Sequence, residues 1–346
     1  MPWKIGWEQK LTRQPAYRIR KESKMFTSFD YYEQAEKLVP PLKNPSLFER
    51  EQNIIKNFAE SAHTVEDWNT GCPFCKEKEY KLFFTKWKVP YYKCPNCFSI
   101  YAGIDGEELK RYKKNEALAA LRLDWEYQSD TSNRRTILWN DLLDWYRFRC
   151  FRYLGKNQNL KILDFGTRYR ELIRLIKNSG LVHSYELRNS ILSINADEKT
   201  ESADVVLCMD YIQMEFVPLQ FLKEVHKSLK DNGLLFFSIR MGSGIDVLAL
   251  KENNKSIFPY EFNLLPTPKG LRILLEQAGF EVLELTTPGT MDVSYLHEQV
   301  NSLENENAFL YYFLKTAGAA ELAEFQRFLQ KSGLSSYAQL VARKEK

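Results

Sequence analysis

Short apolar runs separated by polar turns fill the second half of the chain, and longer amphipathic periods fill the stretch before it. From Leu160 onward the runs 160–164, 182–187, 204–209, 234–239, 280–287 and 336–343 have the length of strands. Several are apolar at nearly every position, as strands covered on both faces of a sheet are. Between them the spacing turns helical. Leu172, Ile173, Leu175 and Ile176 put an apolar face on 170–178, and 218–230 and 268–278 read the same way. Strands alternating with helices predict an α/β sheet. Asn232-Gly233 marks the turn into the buried run Leu234-Leu235-Phe236-Phe237. A helical segment rich in Leu, Phe and Tyr, at about 291–333, interrupts the last two strands.

Upstream, Ser46 and Glu49 have the spacing of a capping box. The helix they open carries Leu47, Ile54, Ile55 and Phe58 on one stripe and runs to about Ala62. Two more helical stretches, about 107–127 and 134–154, are joined by the polar break Asp130-Thr131-Ser132-Asn133. In the second, Leu138, Leu142, Trp145, Phe148 and Phe151 form an apolar stripe that reads as a seam between lobes.

Four cysteines give the sharpest chemical signal. Cys72-Pro73-Phe74-Cys75 and Cys94-Pro95-Asn96-Cys97 are two C-x2-C knuckles separated by eighteen residues. That spacing brings four thiolates into a tetrahedron around zinc. The spacer carries Tyr80, Phe83, Phe84, Trp87, Val89, Tyr91 and Tyr92, which suits the strands of a small ribbon. Two pairs of unrelated buried thiols would be the plain alternative. A redox C-x-x-C needs only one pair and an adjoining βαβ pattern. With four thiolate ligands the ion has no open position, so its role is structural. Cys150 and Cys208 stand alone, and the cysteine usage fits a reducing compartment rather than a disulfide scaffold.

At 346 residues the chain has room for about two domains. Its net charge of +4 is spread along the chain and gives no case for nucleic acid. The first stretch interleaves Lys4, Lys10, Arg13, Arg18, Arg20, Lys21 and Lys24 with Trp3, Trp7, Tyr17, Phe26 and Phe29, which reads as a packed, partly solvated arm. No apolar run approaches a membrane span, and no signal-peptide core follows Met1, so a cytoplasmic location is expected.

Taken in order, several unremarkable segments resemble the class I S-adenosylmethionine-dependent methyltransferases. They are Lys161-Ile162-Leu163-Asp164-Phe165-Gly166, His183-Ser184-Tyr185-Glu186, the run Ala203 to Asp210, the helix Phe221 to Lys230, Asn232 to Ser238, and Pro268 to Phe280. A zinc ribbon ahead of such a domain resembles a bacterial subfamily that includes sugar C-methyltransferases and enzymes linked to surface-polysaccharide synthesis. Phe325-Gln326, Leu334 to Tyr337 and Val341 to Lys344 are similar to the same subfamily. The resemblance implies a Rossmann-like, mostly parallel sheet whose last strand is antiparallel. The organisation is then an arm and helix at 1–68, a zinc ribbon at 69–104, a helical linker at 105–156, and a methyltransferase-like domain at 157–346 with its insert.

By that resemblance Asp164 and Gly166 sit at the cofactor turn, and Glu186 accepts hydrogen bonds from the ribose. Asp197 meets the adenine amino group, and Met209 and Asp210 flank the methionine moiety. The implied cofactor is S-adenosylmethionine, and the implied acceptor is a carbohydrate or other small polar molecule, such as a sugar or nucleotide-sugar. The alternative is a catalytically inactive scaffold or regulatory subunit. It would bind a protein partner, or a second copy, through the N-terminal arm or the helical insert.

Three departures bear on that choice. The family turn D-x-G-x-G-x-G is Asp164-Phe165-Gly166-Thr167-Arg168-Tyr169-Arg170 here, so arginines stand where glycine would give permissive φ and no bulk. Only seventeen residues separate Glu186 from Asp204, which predicts a stunted third strand. Where many relatives carry Glu-His after the fourth strand, this chain has Gln213-Met214, and neither is a general base. Arg168 and Arg170 would suit an anionic ligand or stand solvated on the first helical turn. His183 and His226 fall on scaffold positions, and no residue is assigned as the catalytic base.

Overall fold

The computed structural model describes residues 45–62, 70–127, 133–155, 159–165, 170–180, 182–188, 202–305 and 307–345. Helix α1 (Pro45–Ser61) lays Ile55 and Ala59 against a small antiparallel ribbon. The helix opens with Pro45, so Ser46 lies inside its first turn and is not the cap that the box spacing predicted. The ribbon is β1 (Lys81–Lys86) and β2 (Val89–Lys93), within the spacer as expected, joined by β3 (Ile100–Ala102) after the second knuckle. Its hairpin closes on Trp87 and Lys88, both at positive φ (49° and 66°), as a two-residue turn with the twist of the strands requires. Stacking of Trp87 on Phe258 with ring centroids 6.0 Å apart holds this turn against the second half of the chain.

The stretch expected as one helix at 107–127 is two, α2 (Gly106–Lys113) and α3 (Glu116–Tyr127). Asn115 starts the second by accepting the Leu118 N–H at 3.1 Å, so a capping side chain outweighed the continuous helical period. Helix α4 (Asn133–Leu154) follows.

The main sheet contains β4 (Leu160–Phe165), β5 (Val182–Arg188), β6 (Ala203–Met209), β7 (Leu229–Arg240), β9 (Phe280–Thr286) and β10 (Tyr337–Lys344). Its strand order is β5-β4-β6-β7-β10-β9. β4, β5, β6 and β7 are parallel, and β10 runs antiparallel between β7 and β9. The expected stunted third strand falls at 189–201, outside the described residues.

Period-two alternation sends each strand's side chains to two different cores. Val206, Cys208, Leu235 and Phe237 face helices α6 (Pro218–Ser228) and α8 (Pro268–Gln277). Val205, Leu207, Leu234 and Phe236 face α4 and α5 (Arg170–Asn178). Here the predicted α4 stripe is corrected. Leu142 and Trp145 are buried, joined by Leu143, Tyr146 and Cys150, whereas Phe148 and Phe151 are exposed. The helix covers one face of the sheet rather than a seam between lobes, and Arg149 at its buried centre reaches Glu284 on β9.

The segment between β9 and β10 is helical as expected: α9 (Asp292–Glu298), α10 (Ala308–Thr316) and α11 (Ala319–Ser332). These close over Leu296, Leu303, Leu310, Leu314 and Leu329, against α7 (Ile245–Leu250), and leave Phe309, Tyr312 and Phe328 exposed. No helix among the described residues is long and apolar enough to cross a membrane.

The ribbon is built into the sheet domain. Strand β8 (Leu264–Leu265) pairs with β3, extending the ribbon sheet with residues from the second half of the chain. Cys72, Phe74, Cys94 and Cys97 share a hydrophobic cluster with Leu271, Leu274 and Leu275 of α8.

Candidate functional site

Each cysteine knuckle is made by the same backbone device. The N–H of the residue after the second cysteine returns to the carbonyl of the first: Lys76 N to Cys72 O at 3.0 Å, and Phe98 N to Cys94 O at 3.0 Å. Lys76 and Phe98 are both left-handed (φ 64° and 61°), so each chain segment curls around its thiols. The four sulfurs lie within 4.8 Å of one another, with Cys72 Sγ 3.6 Å from Cys97 Sγ and Cys75 Sγ 3.5 Å from Cys94 Sγ. A tetrahedral ion with metal–sulfur bonds of about 2.3 Å separates its sulfurs by about 3.8 Å, so the cluster has the size for one. The thiols already share protons unequally. The hydrogen bond between Cys72 and Cys97, helped by Ser99, lowers the Cys97 thiol and raises that of Cys72.

The second knuckle docks on the N-terminus of α8. The Thr267 hydroxyl accepts the Gly270 N–H at 3.2 Å and donates to Cys97 O at 2.5 Å. The Thr267 N–H donates to Ser99 Oγ at 3.1 Å, and Lys269 Nζ reaches Asn96 O at 2.8 Å. A Cβ on Gly270 would stand 2.1 Å from Ser99 Oγ and 3.3 Å from Cys97 Sγ. Glycine is therefore the residue that lets the helix start, with its positive dipole end, come this close to the sulfurs.

The other candidate site is the carboxyl edge of β4, β6 and β7, where an open α/β sheet binds its ligands. Asp164, fully buried, lies one residue before the end of β4 and accepts the Tyr185 hydroxyl at 2.5 Å. Burial, then the Asp164 charge, pushes the phenol up, so Tyr185 stays protonated and holds the carboxylate. Met209 is buried at the end of β6. Asp210 follows in the left-handed region (φ 54°), which asparagine and aspartate tolerate better than other side chains. Ser238 of β7 fixes it: its Oγ accepts the Asp210 N–H at 3.0 Å and donates to Asp210 Oδ1 at 2.8 Å.

Glu186 is exposed and lies in register with Leu163. It is two residues short of the end of β5 rather than at it, because pairing with β4 continues to Arg188. The sheet thus brings Asp164, Met209 and Asp210 to one edge with Glu186 behind them on the flanking strand. Gly166, Asp197 and Arg168 lie outside the described residues, as does the side chain of Arg170.

Gln213, in place of the family acid, is buried and ties two segments together. Its Oε1 accepts the Arg240 N–H at 3.2 Å and its carbonyl accepts the Asn263 N–H at 2.9 Å. His226 packs edge-on against Phe280 with centroids 5.3 Å apart, the packed scaffold position expected of it. Sequence reasoning missed Tyr185 and Ser238 as the groups that hold the two aspartates. It also missed a polar network behind β7 centred on Asp246. Gly244 was a signal for that network, since a Cβ on it would lie 2.7 Å from Ser336.

Residues 140–285 match a family described as a methyltransferase domain. With the strand order and its antiparallel β10, this gives the second half of the chain the class I methyltransferase fold. No curated protein matches the chain. Among solved structures, the cyclopropane synthase MmaA2 from Mycobacterium tuberculosis aligns at 13% identity and a TM-score of 0.36, over 59% of this chain and 83% of that one. A Haemonchus contortus phosphoethanolamine N-methyltransferase, held with phosphomonomethylethanolamine and S-adenosylhomocysteine, aligns at 16% identity and a TM-score of 0.37, over 60% and 53%. Likenesses this remote carry nothing about activity.

Proposed function

We propose that this protein is an S-adenosylmethionine-dependent methyltransferase acting on a small polar acceptor of the carbohydrate class, with a structural zinc ion on Cys72, Cys75, Cys94 and Cys97. The observation that carries the reading is the convergence of Asp164, Met209 and the pinned Asp210 on one carboxyl edge of the sheet. In this reading Asp164 and Gly166 shape the turn under the cofactor, and Glu186 accepts from the ribose hydroxyls. Asp197 meets the adenine amino group, and Met209 and Asp210 flank the methionine moiety. S-adenosylmethionine supplies the electrophilic methyl group when bound. The chain's own contribution is position: Tyr185 and Ser238 hold the carboxylates rigid, so that cofactor and acceptor meet in one orientation. With Gln213 committed to structural hydrogen bonds, no proton acceptor is assigned at the family position. The exposed aromatic face of α10 and α11 is where a protein partner or a second copy would dock.

Calorimetric titration of S-adenosylmethionine and S-adenosylhomocysteine into the zinc-loaded protein tests this. Binding in the micromolar range is expected, weakened about ten- to a hundredfold in Glu186→Ala, the worth of charge-assisted hydrogen bonds to the ribose. A folded protein that gives no heat at millimolar ligand would refute the cofactor reading.

A further inference from the structure

Helices α4 and α5 lie against each other on one face of the main sheet. Their inward positions fill the core: Leu142, Leu143, Trp145, Tyr146 and Cys150 on α4, Ile173 and Ile176 on α5. Their outward positions are cationic. Arg147 and Arg152 are exposed on α4, and Arg174 and Lys177 on α5. Among the described side chains of the two helices, the acids are Asp144, exposed, and Asp141, half-buried.

The bias runs through both helices. Residues 133–154 and 170–178 together hold eight arginines and lysines to three acids, a net charge of +5. The rest of the chain has forty-one basic and forty-two acidic residues, close to neutral. The sequence keeps the two segments apart, and the fold sets them side by side.

Between the α4 cations stand Phe148 and Phe151, 44% and 59% exposed and three positions apart, hence on one side of the helix. Water satisfies the cations but not the rings. A bilayer answers both halves of the pattern, with anionic headgroups for the charges and acyl chains for the rings. Single-stranded nucleic acid also stacks on aromatic rings, but in a basic groove that tracks its backbone. The outer faces of two packed helices are convex, which suits a sheet of headgroups better than a strand. The aromatic face of α10 and α11 lacks the charge bias, since exposed Lys315 and Lys331 stand there with exposed Glu321 and Glu324.

We infer that the outer face of α4 and α5 docks this protein on an anionic lipid bilayer. Phe148 and Phe151 enter between the headgroups, and Arg147, Arg152, Arg174 and Lys177 meet the anionic groups around them. Because α5 starts shortly after the carboxyl end of β4, docking sets the cofactor edge close to the bilayer. The docking itself depends on neither the cofactor nor the acceptor.

The test is co-sedimentation of the full-length, zinc-loaded protein with lipid vesicles. Vesicles of phosphatidylcholine mixed with phosphatidylserine are expected to carry the protein down, and vesicles of phosphatidylcholine alone are not. Binding should fall severalfold between about 0.1 M and about 0.5 M NaCl. Phe148→Ser with Phe151→Ser should weaken it about tenfold or more, through the loss of two partly inserted rings. Arg147→Gln with Arg174→Gln should weaken it about twenty-fivefold, near fivefold for each cation. Both variants change exposed side chains and should melt within about 2 °C of the parent. Phe151→Ser alone repeats the measurement if the phenylalanine pair melts lower. Equal sedimentation with the two kinds of vesicle, or anionic binding unchanged in either variant, overturns the assignment. Single-stranded RNA bound in preference to the anionic vesicles also overturns it and gives the face to nucleic acid. S-adenosylhomocysteine binding, titrated on the same variants, should be unchanged. Docking without cofactor binding therefore defeats only the cofactor reading, and cofactor binding without docking defeats only this inference.

Discussion

Stripping zinc from the four cysteines is expected to melt the ribbon and the sheet domain together, lowering the midpoint by more than about 10 °C. In many ribbon proteins the metal holds a lobe that could detach. Here the second knuckle lies in the same apolar cluster as α8, and its backbone shares hydrogen bonds with Thr267 at that helix's start. Without an ion, four thiols within 4.8 Å of one another either keep their protons or repel as thiolates. Opening them exposes Phe74 and the α8 surface to water. Structural zinc contributes on the order of 10 kcal/mol to small ribbons, and about half of that suffices for this shift. Cys97→Ser should reproduce the effect of a strong chelator. Cys208→Ala, a buried thiol that is not among the four close sulfurs, should cost about 1–2 kcal/mol and leave zinc content unchanged. The check is elemental analysis, expecting one zinc per chain, followed by calorimetric melting with and without chelator. Two separated transitions, with the sheet domain's midpoint unmoved, would show that the shared cluster does not couple the two parts.

The second large effect is expected from Arg149→Met, at about 3–5 kcal/mol. Arg149 and Glu284 are 5% and 2% exposed at their side chains, and Arg149 Nε donates to Glu284 Oε2 at 2.9 Å. The Tyr153 hydroxyl donates to the other carboxylate oxygen at 2.5 Å, and Arg152 stands 3.8 Å from it. The guanidinium also lies over the Trp145 ring, 5.3 Å from its centroid, so the pair clamps α4 onto the edge strand β9. Removing the arginine leaves a carboxylate inside the protein held by the Tyr153 phenol and by Arg152 at 3.8 Å. That weakly compensated charge is the source of the cost, more than the lost attraction. Arg149→Met combined with Glu284→Leu should therefore recover most of the stability. Urea unfolding of the single and double variants measures both. A single variant within about 1 kcal/mol of the parent, or a double variant no better than the single, would show that water reaches the pair.

Much of the fold was legible because strand and helix periodicities are local properties of the chain. The apolar runs at 160–164, 204–209 and 234–239 became β4, β6 and the buried part of β7, since strands covered on both faces admit few polar residues. The same reading failed on α4, where Phe148 and Phe151 look like core and are not. A helix carries aromatics on either side at similar local cost, and only the sheet beneath it selects the buried face. Asp164, Met209 and Asp210 were likewise legible as strand ends. Their anchors were not: Tyr185 reaches Asp164 across strands, and Ser238 reaches Asp210 across twenty-eight positions.

The sequence by itself determined the knuckle pairs, the α/β order and the carboxylates at the sheet edge, because each depends on spacing within a few residues of chain. Tertiary structure alone decided that the knuckles dock on α8, that Arg149 meets Glu284 across 135 positions, and that Arg240, Asn254 and Ser336 gather on Asp246. Those contacts arise where separate elements pack. Their partners are chosen by shape and charge at the meeting surface, which no local pattern of hydrophobic and polar residues encodes.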